Sequence, residues 1–136
     1  MRTVYADPVT DTLVDSDIAD VAAMLALFSW SQTVSTGRGH PMLLFTRTDG
    51  AELGIAAVAG GAVMHWNDPT GQLFYSRGIQ PDEPTVNVDY LGSYTELSGS
   101  MVIPITRARR VLTSFAEGRD RDAVAVTFAP DPDDWW

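Results

Sequence analysis

Apolar residues fall into short runs along most of the chain, and most of these runs end at residues that favour turns. Such a pattern predicts β-strands joined by tight connections. Asp49-Gly50 and Gly60-Gly61 separate three of the runs and can supply the positive φ angles that hairpins need. The predicted strands cover residues 2–6, 42–48, 51–58, 62–66, 72–76, 85–91, 100–104 and 123–128.

Two segments show helical spacing instead of alternation. In the first, apolar residues recur every three or four positions and the helix should end near Trp30. Ser16 is its predicted N-cap, and the following acids lie where the helix dipole favours negative charge. In the second, Thr106 is the predicted N-cap and Gly118 follows the last turn. Its predicted buried stripe consists of Ala108, Val111, Leu112, Phe115 and Ala116.

These elements predict an α+β fold, with a mainly antiparallel meander sheet and two helices packed on one face. The other face of the sheet should then remain available. A length of 136 residues predicts a single domain over residues 1–136. An acidic tail follows the last strand, over residues 129–136.

The charge balance narrows the choice of partner. The chain has 18 acidic residues against 9 basic ones, which gives a formal net charge of −9. Such a charge repels nucleic acid and anionic membranes, and it favours a positively charged partner. Direct binding to nucleic acid or to a membrane is therefore not expected. A need for solubility would explain the same charge without a partner.

The sequence also indicates a compartment. There are no cysteines, so disulfides and thiolate metal sites are excluded, and a reducing environment fits best. The longest apolar run, residues 21–30, is too short to cross a bilayer and follows acidic residues instead of a basic segment. We therefore expect a cytoplasmic protein.

Motifs for catalysis or metal binding find little support. His40 and His65 are the only histidines, and their spacing matches no zinc motif. We expect His65 to be a strand histidine whose ring is hydrogen-bonded to a neighbour. The glycines of residues 36–41 lead from a helix into a strand, which is the reverse of the dinucleotide-binding order. No catalytic residue, metal or cofactor is predicted, and the chain is not expected to be an enzyme.

An ordered set of short motifs runs through the second half of the chain. An aromatic-x-Ser-x-Gly strand end precedes Tyr-x-Gly with a downstream Glu, then a Val/Ile-Pro strand end, a helix carrying Ala and Phe, and Gly-Arg. The residues are Tyr75, Ser76, Gly78, Tyr90, Gly92, Glu96, Pro104, Ala108, Phe115, Gly118 and Arg119. This order resembles the first family of immunity proteins of bacterial polymorphic toxin systems. The sequence departs from it at Asp120, where the family usually has proline, and at Phe128, where it usually has tryptophan.

The resemblance implies a role without turnover, in which the protein binds and silences a cognate toxin inside the cell that makes it. Members of the family are typically encoded beside toxins that attack nucleic acid, among them cytosine deaminases acting on double-stranded DNA, and nucleases. Such a toxin needs an electropositive cleft for phosphates, and an acidic protein can occupy that cleft and block it.

The contact surface is predicted from tyrosines and acids together, because tyrosine gives interfaces a large stiff contact area and acids orient a basic partner. The first predicted contacts are Asp82, Glu83, Asp89, Tyr94 and Glu96, and the second are Tyr75, Arg77 and Tyr90. Strand alternation places Asp89 on a solvated face, opposite Val88 and Tyr90.

Two alternatives stay open. A small hydrolase-type enzyme would use His65 with Asp68 or Glu96, and alanine at His65 would then abolish an activity. A homodimeric interaction module without a toxin would use the final tryptophan pair, Trp135 and Trp136. Deleting residues 132–136 would then dissociate the dimer and leave the fold intact.

Overall fold

The structure is a computed structural model, and it describes residues 1–78, 85–124 and 126–130. Within these residues, seven antiparallel strands form a central sheet and two more form a separate hairpin. The strands are β1 Arg2–Asp7, β2 Thr12–Asp17, β3 Leu43–Thr46, β4 Glu52–Val58, β5 Gly61–Asn67, β6 Leu73–Ser76, β7 Thr85–Tyr90, β8 Ser93–Ser98 and β9 Phe128–Ala129. The central sheet has the order β2-β1-β3-β4-β5-β6-β9, and β7 pairs with β8. The helices are α1 Val21–Ser31 and α2 Ile105–Ala116.

The α+β prediction, with both helices on one face of an antiparallel sheet, is confirmed. α1 and α2 pack on each other and on the central strands. We call this side of the sheet the helix face. Its core is apolar and aromatic, and Trp66 makes edge-to-face contacts with Phe115 at 5.1 Å and Phe128 at 5.8 Å between ring centroids. The predicted stripe of α2 is buried at Ala108, Val111, Leu112 and Phe115.

The opposite side of the sheet, which we call the hairpin face, is covered in part by the β7–β8 hairpin. Met42, Leu44 and Val63 form a second, smaller core there with Val88 of β7 and Met101. The expectation that this whole face stays available is therefore wrong. The hairpin buries the apolar residues of this second core.

The start of helix α1 differs from the prediction. Residues 12–17 form β2, which pairs with β1 along its full length, and Asp20 is the N-cap, its carboxylate accepting a hydrogen bond from the Ala23 amide at 2.9 Å. β2 is an edge strand whose side chains are mostly exposed, so it carries no apolar alternation. Its acids resemble a helix start for that reason.

Strand β8 was not predicted, and the hairpin loop explains why. Leu91 and Gly92 both adopt positive φ, at 52° and 93°, as a two-residue turn of this kind requires. Leucine is unusual at such a position, so the sequence gives little sign of a turn here. The predicted strand at 100–104 is instead a short 3₁₀ helix, Gly99–Met101, followed by a single bridge between Ile103 and Ala62.

Three other predictions concern element ends. α2 begins after Pro104, which makes no side-chain cap, so the predicted cap at Thr106 is wrong. Gly118 has φ of 82° and follows the last turn as predicted. The last strand was predicted over residues 123–128. Among the described residues it covers only Phe128–Ala129, where β9 pairs with β6. The loop with Pro81 and Pro84 and the tail from residue 131 lie outside the described residues.

Candidate functional site

The β7–β8 hairpin presents an outer surface on which two predicted contact residues lie side by side. Tyr94 and Glu96 alternate on β8, and the Tyr94 hydroxyl donates a hydrogen bond to Glu96 Oε1 at 3.1 Å. This bond to a carboxylate raises the pKa of the Tyr94 phenol. Tyr94 is 54% exposed and Glu96 is exposed as well. The pair is thus a preformed, accessible patch with an aromatic ring and a negative charge.

Asp89 lies on the same side of the hairpin but is fully buried. Its Oδ1 accepts a hydrogen bond from the Gly92 amide at 2.8 Å, and its Oδ2 lies 3.3 Å from Arg38 Nε. Its backbone bonds to His40 and Met42 on the neighbouring segment. The prediction that Asp89 is solvated is wrong, because that segment covers it. Asp89 holds the hairpin in place and presents no surface to a partner.

The second-choice contacts divide between two places. Tyr75 on β6 and Tyr90 on β7 are half-buried and line one cleft on the hairpin face, about 350 Å³ in volume. Burial is the main cause that raises the pKa of Tyr90, with the charges of Glu52 and Tyr75 adding to it. Arg77 is exposed, and its amide donates to the Thr127 carbonyl. Asp82 and Glu83 lie outside the described residues, so their contact role stays a prediction.

The floor of the cleft follows from strand register. Gly54, His65 and Tyr75 form one cross-strand row on β4, β5 and β6, while Glu52 and Asn67 lie in the next row. Tyr90 covers the floor from the hairpin, with its ring 6.1 Å from the His65 ring and 29° from parallel. Directly opposite side chains in a sheet lie about 5 Å apart, so these groups share one small space.

His65 is the least expected group in this cleft. It is only 7% exposed, yet within the described part of the chain neither ring nitrogen has a hydrogen-bond partner. The expectation of a ring satisfied by a neighbour is therefore wrong. Burial lowers the pKa of His65 to about 4, so the imidazole is neutral near pH 7. A neutral ring offers one donor and one acceptor nitrogen.

Gly54 makes room for this ring. A Cβ added at Gly54 would lie 2.1 Å from His65 Nε2, which is closer than van der Waals contact. A glycine inside a strand often marks a close approach of this kind. Gly54 was therefore the sequence signal for the cleft.

The residues of the alternative enzyme are not brought together. His65 bonds to neither acid, and neither Asp68 nor Glu96 is among the residues that line the cleft. Asp68 lies 3.9 Å from Arg121, and Glu96 bonds to Tyr94. Across the described residues, no group of three or more histidines and acids could hold a metal ion, and no helix is long and apolar enough to cross a membrane.

A family model described as immunity protein Imm1 matches residues 10–130, which is most of the chain. This match defines the class of protein, one that gives immunity to a toxin. The chain belongs to the Imm1 immunity protein family. No curated protein and no solved structure matches it.

Proposed function

We propose that this chain binds and inhibits one cognate toxin domain that acts on nucleic acid, with a DNA cytosine deaminase as the first candidate and a nuclease as the second. The observation that carries the proposal is the family match over residues 10–130, since an immunity protein acts on a toxin. The choice of toxin rests on the neighbours that this family typically has and on the net charge of −9, which suits a partner built to hold phosphates.

The proposed contact surface centres on the Tyr94–Glu96 pair, because both side chains are exposed and already bonded to each other. A preordered pair loses little side-chain freedom on binding, and this lowers the cost of association. Asp82 and Glu83 remain proposed contacts from the sequence. We leave Asp89 out of the proposed surface because its side chain is buried.

The protein is proposed to act by occupancy, inside the cell that makes the toxin, and not by turnover. To protect at low toxin concentration, the complex should reach nanomolar dissociation, about −12 kcal/mol, over an interface of roughly 1,600 Å². Negative charge on the inhibitor should also speed its encounter with a basic toxin, especially at low salt.

The test uses the purified chain and the toxin domain encoded by the adjacent gene. Surface plasmon resonance should give a nanomolar Kd, and the chain should suppress deamination or cleavage of DNA at equimolar concentration. The double variant Tyr94→Ala, Glu96→Gln should bind about 30-fold more weakly, as expected for the loss of a hot spot. Asp17→Asn, an exposed acid on the far edge of the sheet, is the matched control and should bind as the wild type does.

A toxin that is neither bound nor inhibited would overturn the proposed function. Tight binding that the double variant leaves unchanged would move the contact surface away from β8. Bound metabolite or product in the purified protein, together with loss of an activity in His65→Ala, would favour the enzyme.

A further inference from the structure

The cleft contains polar groups whose bonding capacity the fold does not use. Both ring nitrogens of His65 are buried without a partner in the described part of the chain. Glu52, in the adjacent row, is half-buried, and burial is the cause that raises the pKa of its carboxyl group. An unsatisfied buried polar group costs about 1–3 kcal/mol, so native proteins keep few of them without a reason.

The space above these groups is large enough for a ligand. A volume of about 350 Å³ far exceeds what a single water molecule occupies in the liquid, about 30 Å³. The cleft has apolar walls from Met42, Leu73, Leu97 and Met101, and its other lining residues carry polar groups: Glu52, His65, Asn67, Tyr75, Tyr90 and Thr95. Binding sites for single side chains and small molecules likewise combine apolar walls with convergent polar groups.

The chemistry of the lining favours a cation. Glu52 supplies a carboxylate, and the neutral His65 ring adds no opposing charge. Tyr75 and Tyr90 supply aromatic rings, whose faces attract ammonium and guanidinium groups. The described residues that line the cleft include no arginine, so an anion would meet no countercharge from them.

The position of the cleft connects it with the proposed contact surface. Thr95 and Leu97 line the cleft from β8, while Tyr94 and Glu96 of the same strand face outward. The other hairpin strand, β7, is bridged on its far side to the segment at Pro41, which leaves β8 as the open edge among the described residues. A partner lying across β8 can therefore reach both sides of that strand.

We propose that the cleft receives one arginine or lysine side chain of the toxin, whose charged end pairs with Glu52 and lies between Tyr75 and Tyr90, beside the His65 ring. This inference rests on the proposed function, because the occupant is a side chain of the toxin. A toxin that binds nucleic acid carries such residues on its substrate-binding surface. Filling the cleft with one of them would take that residue away from DNA or RNA.

The first experiment is a double-mutant cycle on the purified complex. Glu52→Gln should weaken toxin binding about 10-fold to 30-fold, whereas the control Asp17→Asn should change Kd less than 3-fold. One arginine-to-alanine or lysine-to-alanine change on the toxin should weaken binding by the same factor. When the two changes are combined, their effects on the binding free energy should not add. Circular dichroism melting of each variant checks that it is folded.

The second experiment follows His65 directly and needs no variant. Histidine ring ¹⁵N NMR spectra are recorded with and without the toxin, and the His65 ring signals should shift on binding. His40 is the internal control, because its Nδ1 already lies 2.6 Å from the Val34 carbonyl oxygen, and its signals should stay in place.

The outcomes separate this inference from the proposed function. If the wild-type complex forms, but Glu52→Gln binds equally well and the His65 signals do not move, the cleft is not part of the interface and the inference is wrong while the inhibitor role stands. If free L-arginine amide shifts the His65 signals while the toxin does not, the cleft belongs to a small cationic ligand, and this also overturns the inference. If no complex forms, the proposed function itself fails.

Discussion

The two faces of the central sheet are built from alternate residues of the same strands, yet they differ in almost every physical respect. On β5, Met64 and Trp66 point into the helix face, where two helices close a continuous apolar core. His65, between them, points to the hairpin face, and its two ring nitrogens have no partner among the described residues. The helix face is closed by packing, whereas the hairpin face keeps a cleft that a partner can fill.

The width of the covering element explains this difference. Two helices side by side cover the helix face and seal it with aromatic contacts around Trp66. Arg47 lies against the same cluster, with its guanidinium 4.6 Å from the Phe115 ring. A single two-stranded hairpin is narrower, so it buries the apolar centre of the opposite face and leaves the row of Glu52, Asn67 and Leu73 beside an open cleft.

The largest effect on stability should come from the helix face. Phe115→Ala removes a fully buried ring that packs on Trp66, and it should lower the free energy of unfolding by about 3–5 kcal/mol in urea titration. Tyr94→Ala, which removes a ring of similar size from the hairpin surface, should change it by less than about 0.5 kcal/mol. Similar losses from the two variants would remove the contrast between the faces.

The next effect is a pH dependence at the hairpin face. The pKa of His65 falls from 6.5 to about 4 on folding, so below pH 6.5 the unfolded chain takes up a proton at this ring that the folded chain does not. Stability present above pH 6.5 is therefore lost as the pH falls, by about 3 kcal/mol in all near pH 4.

The measurement for this pH effect compares the wild type with His65→Gln at several pH values between 7 and 4.5. The carboxyl groups contribute to both proteins, so the difference between the two stability curves isolates the imidazole. We expect the wild type to lose more stability than the variant over this range. Parallel curves would show that His65 is not buried in its neutral form.

A smaller effect should follow from filling the space beside that ring. Gly54→Ala places a methyl group against His65 and should cost about 1–3 kcal/mol, toward the lower end if the ring rotates into the cleft. Gly37→Ala is the matched control, since an added Cβ there meets no atom of the described residues within 4 Å. Gly54→Ala should cost less in a His65→Ala background, and an unchanged cost would mean that another contact is responsible.

The smallest effect is expected on the outer hairpin surface. Tyr94→Phe removes only the solvent-exposed hydrogen bond to Glu96. It should change the free energy of unfolding by less than about 0.5 kcal/mol. The same variant should weaken toxin binding, because the phenol tip is proposed to lie at the interface. A clear loss of stability would assign the pair a structural role instead.

The sequence predicted the helix face better than the hairpin face, and the reason is physical. Burial imposes periodicity, so the stripe of α2 and the strands β3 to β6 could be read from apolar spacing. β2 is mostly exposed and carries acids, so its pattern resembled a helix start. β8 was not predicted because Leu91 occupies a positive-φ turn position, where asparagine, aspartate or glycine is usual.

The candidate site was only partly predictable for a related reason. The sequence indicated Tyr94 and Glu96 by residue type, but their pairing depends on β8, which was not predicted. The burial of Asp89 depends on Arg38 and its neighbours, which lie about fifty residues away in the chain. The cleft likewise forms only when three strands pair in one register and the hairpin packs above them. The local sequence pattern contains no information on either arrangement.

Hydrogen–deuterium exchange on the purified complex with the toxin domain tests most directly whether the hairpin side of this protein is its working surface. We predict added protection in β8 and in the cleft strand β6, with exchange in α2 the same as in the free chain. Protection confined to α1 or α2, with β8 exchanging as it does in the free protein, would contradict the account.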